Sequence, residues 1–156
     1  MAGGSTREPS GRRCDDGETA ALLRSHGLRA TRARCLILAL LAESGEHPTA
    51  ETVVEALHER GHDLALATAY QNLSTLAEHG LLDRFFGLDG FAHFDGNLEP
   101  HHHVVCTSCG RTVDCLVDDE LERLDPREVR AGTRLGAWSV NDRKLEFRAL
   151  CPDCRE

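Results

Sequence analysis

Aromatic residues make up only 4% of this 156-residue chain, so its core must come from aliphatic side chains. No run of about 18 apolar residues occurs, so no membrane span is expected. Residues 1–18 contain no apolar segment of the kind that directs secretion. They are rich in Gly, Ser, Arg and Asp and read as a disordered tail. Basic charge is also in deficit: the net charge is −8, which taken alone speaks against nucleic acid. That deficit is uneven, because residues 1–36 hold seven Arg (7, 12, 13, 24, 29, 32, 34) against Glu8, Asp15, Asp16 and Glu18. What the chain does have is seven cysteines and nine histidines. Without a secretion signal, this points to a reducing cytoplasm and to metal ligation over disulfide pairing.

The pattern from Glu18 onward is helical. Ala20–Leu23 lead to a stop at Gly27, and Thr31 is a good N-cap for a second helix carrying Ile37, Leu38, Leu40 and Leu41 up to Gly45. Thr49 can cap a third helix that ends at Gly61, with Glu51 suited to the positive end of its dipole. Thr68 is expected to cap a fourth, over residues 68–79, ending at Gly80. Two short apolar runs, 81–86 and 91–94, flank a Gly/Asp turn and predict a β-hairpin. Helices followed by a hairpin suggest a winged helix-turn-helix over residues 19–94, with 68–79 as the recognition helix. Residues 101–156 then read as a small zinc-stapled α/β domain, connected through 95–100. Strands are expected at 104–106, 111–115, 135–140 and 144–150, and a helix at 118–130 that Pro126 interrupts or restarts. The fold class is therefore α+β.

Cys106-Thr107-Ser108-Cys109 and Cys151-Pro152-Asp153-Cys154 are two C-x-x-C loops. Each puts two thiolates on one side of a tight turn, and together they complete a tetrahedral zinc shell. Four thiolates close that shell, which suits structure rather than catalysis. His101 and His103 lie two apart, so on an extended chain they share a face that His102 does not. Asp95 lies on the chain leading to them, and Asp114 on the strand leaving the first zinc turn. His47, before Pro48, is a candidate interdomain ligand. Three imidazoles and two carboxylates suit Mn(II) or Fe(II), because the set lacks a thiolate.

His58-Glu59-Arg60-Gly61-His62 matches the H-E-x-x-H string of zinc hydrolases. That chemistry needs both histidines on one continuing helix, and Gly61 interrupts it. A zinc hydrolase using His58, Glu59 and His62 is the enzyme-class alternative, and a metal-storage module without DNA binding is another. Cys35, among Leu36, Ile37 and Leu38, reads as a buried small hydrophobe. No role is assigned to Cys14, Cys35 or Cys115.

Five stretches carry a resemblance: Gly27–Arg34, His47-Pro48-Thr49-Ala50, Ala67–Leu73, His101–Gly110 and Cys151–Cys154. Over residues 19–156 the chain resembles a repressor of the ferric uptake regulator superfamily, and within it the peroxide-sensing (PerR-like) and manganese-uptake branch. The resemblance implies a winged-helix domain hinged to a dimerisation domain. It implies a homodimer acting on palindromic, AT-rich double-stranded DNA operators, with a structural zinc and a regulatory Mn(II) or Fe(II). The branch's regulatory site maps onto His47, Asp95, His101, His103 and Asp114. A zinc-responsive relative, the alternative within the superfamily, usually offers a cysteine there, where this chain has Asp95. Tyr70 is implied to contact bases, Gln71 and Asn72 to read an edge or hold a phosphate, Arg29 to enter the minor groove and Arg34 to contact the backbone. The chain departs from the pattern at His93, which replaces an arginine usual in the hinge motif. It also departs at Pro100 and Arg143, where an additional metal site typically has histidines.

Overall fold

Four helix-stop glycines and two threonine caps divide the first half of the chain into short helices. The computed structural model describes residues 17–116 and 144–155. The expected tail over 1–16, the helix at 118–130 and the strand at 135–140 lie outside the described residues. The chain divides into two compact units, with the break between Leu98 and Glu99.

The first unit holds helices α1 (Glu18–Ser25), α2 (Arg32–Ser44), α3 (Ala50–Glu59) and α4 (Leu66–Glu78), followed by strands β1 (Asp83–Phe86) and β2 (Ala92–Asp95). The Thr31 hydroxyl accepts from the Arg34 N–H at the start of α2, and Thr49 accepts from the Thr52 N–H at the start of α3. Each satisfies a backbone donor that the first helical turn leaves without a partner. Helix α2 stops at Gly45, whose φ of 56° is left-handed and opens the turn that carries His47. The expected Thr68 cap is corrected: α4 begins at Leu66, capped by Ala65 with no side-chain bond. Leu64 packs against the core just upstream, and the Ala69 N–H reaches the Ala65 carbonyl, closing the first turn early. Tertiary docking here outweighs the local preference of threonine for a cap.

The aliphatic faces of the helices close around Leu23, Ile37, Val53, Leu57, Leu73 and Leu76, with Phe94 of β2 as the largest buried ring. Strands β1 and β2 pair antiparallel with Phe85 opposite His93 and Asp83 opposite Asp95. Leu73 is fully buried in the middle of α4. Leu73→Ala should therefore destabilise the first unit by about 2–5 kcal/mol, measured by chemical denaturation. A loss below about 1 kcal/mol would show that α4 is not packed as described.

The second unit holds β3 (His102–Cys106), β4 (Thr112–Cys115), β5 (Glu146–Ala149) and a 3₁₀ turn over Pro152–Cys154. The sheet order is β4-β3-β5, antiparallel on one side of β3 and parallel on the other. Strand β3 starts at His102, two residues earlier than expected, because it is paired on both sides there, His102 opposite Cys115 of β4 and His103 opposite Glu146 of β5. The Leu145 N–H donates to His102 Nδ1, and the His103 N–H donates to the Leu145 carbonyl. Among the described residues this unit buries little apolar surface, chiefly Val105 and Cys106.

Candidate metal centres and nucleic-acid interface

The parallel pairing of β3 with β5 sets Cys106 beside Ala149, so the chain leaving β5 delivers Cys151 next to Cys106. The Cys151 N–H donates to Cys106 Sγ at 3.3 Å. After the first knuckle the chain must turn back into β4, and Gly110 does so with a φ of 76° while its N–H bonds the Cys106 carbonyl. The four sulfurs of Cys106, Cys109, Cys151 and Cys154 lie within 4.8 Å of one another. Cys109 and Cys151 are 3.7 Å apart. Zn–S bonds of about 2.3 Å in a tetrahedron space sulfurs about 3.8 Å apart, so the donor set fits zinc in both chemistry and spacing.

The quartet is also electrostatically prepared. Backbone N–H groups of Cys109, Cys151 and Ser108 pull the Cys106 thiol down to about 6. Cys154 is pushed up to about 11: the Ser108 hydroxyl lowers it, but the sulfurs of Cys151 and Cys109 outweigh that. One thiolate forms readily and discourages the next, which is the repulsion that a divalent cation removes. Arg111 and Asp153 pair at 2.7 Å across the two knuckles. Cys115, a further free thiol on β4, is held up by burial and by the charge of Asp114. Cys35 is half-buried and packs against the core of the first unit, as the small hydrophobe expected from its neighbours.

In the same unit His101, His103 and Asp114 converge. His103 sits directly opposite Asp114 in the β3–β4 register. His101 Nε2 and His103 Nε2 are 2.9 Å apart, and Asp114 Oδ1 is 3.6 and 3.8 Å from them. Neighbouring ligands on an octahedral ion with bonds near 2.1 Å are about 3 Å apart, so the imidazole pair matches that spacing. His101 Nδ1 donates to the Glu99 carbonyl at 2.7 Å. That bond puts the ring proton on Nδ1 and leaves the Nε2 lone pair for a metal. His102 does not face this cluster; its Nδ1 is engaged by Leu145.

In the first unit His47 and Asp95 form a second buried group of donors. His47 Nε2 lies 3.4 Å from Asp95 Oδ2, and both side chains are at most 5% exposed. Pro48 restricts His47 to extended backbone, which turns the chain out of α2 toward β2. The Phe94 N–H donates to the Pro48 carbonyl, and the Asn97 N–H donates to Asp95 Oδ1 at 2.7 Å. These bonds fix Asp95 at the end of β2 with its other oxygen toward His47.

Sequence reasoning missed what His93 does. Its Nδ1 donates to the His47 carbonyl at 2.7 Å, and its Nε2 lies 3.0 and 3.2 Å from the two oxygens of Asp89. The spacing of Asp89 and His93 across a hairpin turn was the only local signal. Burial pushes the Asp89 carboxyl up, but the Phe91 N–H together with the bond and charge of His93 hold it below its ordinary value.

The H-E-x-x-H string does not assemble. Helix α3 ends at Glu59, Gly61 turns with a φ of 78°, and His62 lies past the helix. His58 is instead 3.0 Å from the exposed Asp63.

On α4, Leu66, Ala67, Tyr70 and Gln71 are exposed along one face, and Arg29 is exposed before α2. Asn72 is placed differently: its Oδ1 accepts from Arg34 Nε, and its Nδ2 donates to the Thr68 carbonyl. Arg34 also donates to the Arg29 carbonyl. Asn72 thus orients Arg34.

Residues 25–142 match the ferric uptake regulator family. The peroxide-responsive repressor PerR of Staphylococcus epidermidis is 31% identical over 139 residues, 89% of each chain. Among solved structures, the ferric uptake regulator of Pseudomonas aeruginosa with manganese is 30% identical with a TM-score of 0.69, covering 87% of this chain and 99% of that one. The Vibrio cholerae ferric uptake regulator, described as showing structural rearrangement of its DNA-binding domains, is 25% identical with a TM-score of 0.71, covering 86% and 100%.

Proposed function

Because this chain belongs to the ferric uptake regulator family, a family of DNA-binding transcriptional regulators and not of enzymes, we propose that it is a cytoplasmic, metal-activated repressor of metal-uptake or peroxide-stress genes. It acts as a homodimer on a palindromic, AT-rich operator. Zinc held by Cys106, Cys109, Cys151 and Cys154 keeps the second unit folded. One Mn(II) or Fe(II) per subunit takes His101, His103 and Asp114 from that unit and His47 and Asp95 from the first. The domain boundaries follow: a winged-helix reader over 19–94, a hinge over 95–100 and a dimerisation domain over 101–156.

The observation that supports this most is that each unit holds a preorganised group of imidazole and carboxylate donors. His101, His103 and Asp114 form one, and the buried His47–Asp95 pair the other. Neither group contains a thiolate, which favours Mn(II) or Fe(II) over a zinc-sensing role. An ion that binds both groups selects the arrangement in which two recognition helices are spaced for successive major grooves. A 100-fold preference for that arrangement needs only about 2.7 kcal/mol of differential binding.

At the DNA, Tyr70 and Gln71 contact bases, Arg29 enters the minor groove, and Arg34, steered by Asn72, holds a phosphate. Tyr70→Ala should weaken operator binding about 10-fold or more while leaving Mn(II) affinity unchanged. Glu59→Gln should change neither. Fluorescence anisotropy on a duplex selected from a randomised pool by the metal-loaded protein reads both variants, and an inert Tyr70→Ala would count against α4 as the reader.

The functional test is an anaerobic operator titration with Mn(II), Fe(II) and Zn(II), followed by mass spectrometry of the Fe(II) form after peroxide. Operator binding that requires Mn(II) or Fe(II) supports the proposal, and binding indifferent to metal refutes it. Added oxygen on His47 or His101 assigns peroxide sensing; unchanged mass assigns metal homeostasis.

A further inference from the structure

His93 is the one histidine of the first unit that ties the tip of the hairpin to the loop carrying His47. It projects from β2, and both ring nitrogens are engaged: Nδ1 by the His47 carbonyl at 2.7 Å, Nε2 by the Asp89 carboxylate at 3.0 Å. Its ring stacks on Phe85 at 5.5 Å and 15°, and the opposite register of Phe85 and His93 places the pair face to face. Phe85 in turn meets the His47 ring edge-on at 5.5 Å. The side chain of His93 is 12% exposed and that of Asp89 39%, so the bond to the His47 carbonyl is the better shielded of the two.

A second feature of the hairpin fits the same arrangement. A Cβ on Gly87 would lie 2.7 Å from both Asp89 Oδ1 and His93 Nε2. Only glycine leaves room for that carboxylate–imidazole contact. Asp89 is itself fixed in the turn, accepting from the Phe91 N–H at 2.9 Å.

We infer that His93 is a positioning residue for the regulatory ion: anchored by Asp89 and admitted by Gly87, it fixes the His47 backbone and ring for ligation without itself touching the metal. The chemistry is that of an outer-shell group. A ligand on a loop between helices is free to rotate away, and a bond to its own carbonyl removes that freedom before the ion arrives. With both ring nitrogens engaged, His93 directs no free lone pair at the ion. The hairpin also becomes mechanically linked to the metal ligand within the first unit.

The inference rests on His47 being a ligand, and the test separates the two. Mn(II) affinity of the zinc-loaded full chain is measured by calorimetry and by the electron spin resonance of free Mn(II). His93→Leu and Asp89→Ala should each weaken Mn(II) about 10-fold or more with zinc content unchanged. His93→Arg should recover most of the affinity, because a guanidinium can donate to the carbonyl and pair with Asp89 together. Gly87→Ala should mimic the loss, and it stands in should His93→Leu fail to fold. Wild-type affinity in His93→Leu or in both Asp89→Ala and Gly87→Ala overturns the inference. If the wild-type chain takes up no Mn(II), the ligand reading fails instead. Hydrogen exchange of the zinc-loaded chain without Mn(II) then decides for His93: faster opening of residues 45–49 in His93→Leu supports the positioning role, and unchanged exchange overturns it.

Discussion

Cys109→Ser should yield a chain that retains no zinc, loses the folded second unit and no longer dimerises. The expected effect is the largest available because the second unit has little else to hold it. Its buried apolar residues, among those described, are chiefly Val105 and Cys106, and the buried positions beside them are His101, His102 and His103. A unit with so thin a core depends on a staple. A structural zinc is worth about 10–16 kcal/mol in small zinc domains, far beyond the stability such a core supplies. Serine keeps the size and loses the thiolate, so the change is confined to metal binding. Zinc content, circular dichroism and size-exclusion chromatography read the outcome. A soluble dimer with native secondary structure would contradict the structural role of the quartet.

Asp114→Ala should produce the opposite pattern: zinc and dimer intact, metal response gone. Asp114 lies on β4 with a side chain 34% exposed, so its removal opens no cavity. Its contribution is a carboxylate facing His101 and His103. Outer-shell changes at metal sites cost about 10–100-fold in affinity, so loss of a ligand should cost at least about 100-fold. Asp95→Ala, in the other unit, should show the same phenotype if one ion uses both groups. Mn(II) affinity and Mn(II)-dependent operator binding are the readouts. Loss of zinc or of secondary structure in Asp114→Ala would reassign it to the scaffold.

The features legible in the sequence are those whose physics is local. Thr31 and Thr49 mark helix starts because a cap needs only the next turn, and Gly45 marks a stop because its own φ must be positive. The cysteine quartet was legible because C-x-x-C fixes the geometry of each half, and the His101/His103 pair because an extended chain repeats every two residues. What escaped depends on distant contacts. The first turn of α4 was set by the docking of Leu64 and overrode Thr68. The bond from Asn72 to Arg34 joins residues on two helices, and the bond from His93 to the His47 carbonyl joins a strand to a loop. A side chain aimed at a remote backbone carbonyl leaves no trace in spacing or composition.

The central claim is that the regulatory ion and the operator select the same arrangement of the two units. Linkage then requires that DNA tighten metal binding by the factor by which metal tightens DNA binding. The most direct measurement is the Mn(II) affinity of the zinc-loaded dimer with and without the selected operator duplex. With one ion per subunit, a tightening of about 10-fold per ion, whose product over the two subunits equals an about 100-fold Mn(II)-induced gain in operator affinity, and its absence in His47→Ala, is the predicted result. Identical Mn(II) affinity with and without DNA would contradict the account.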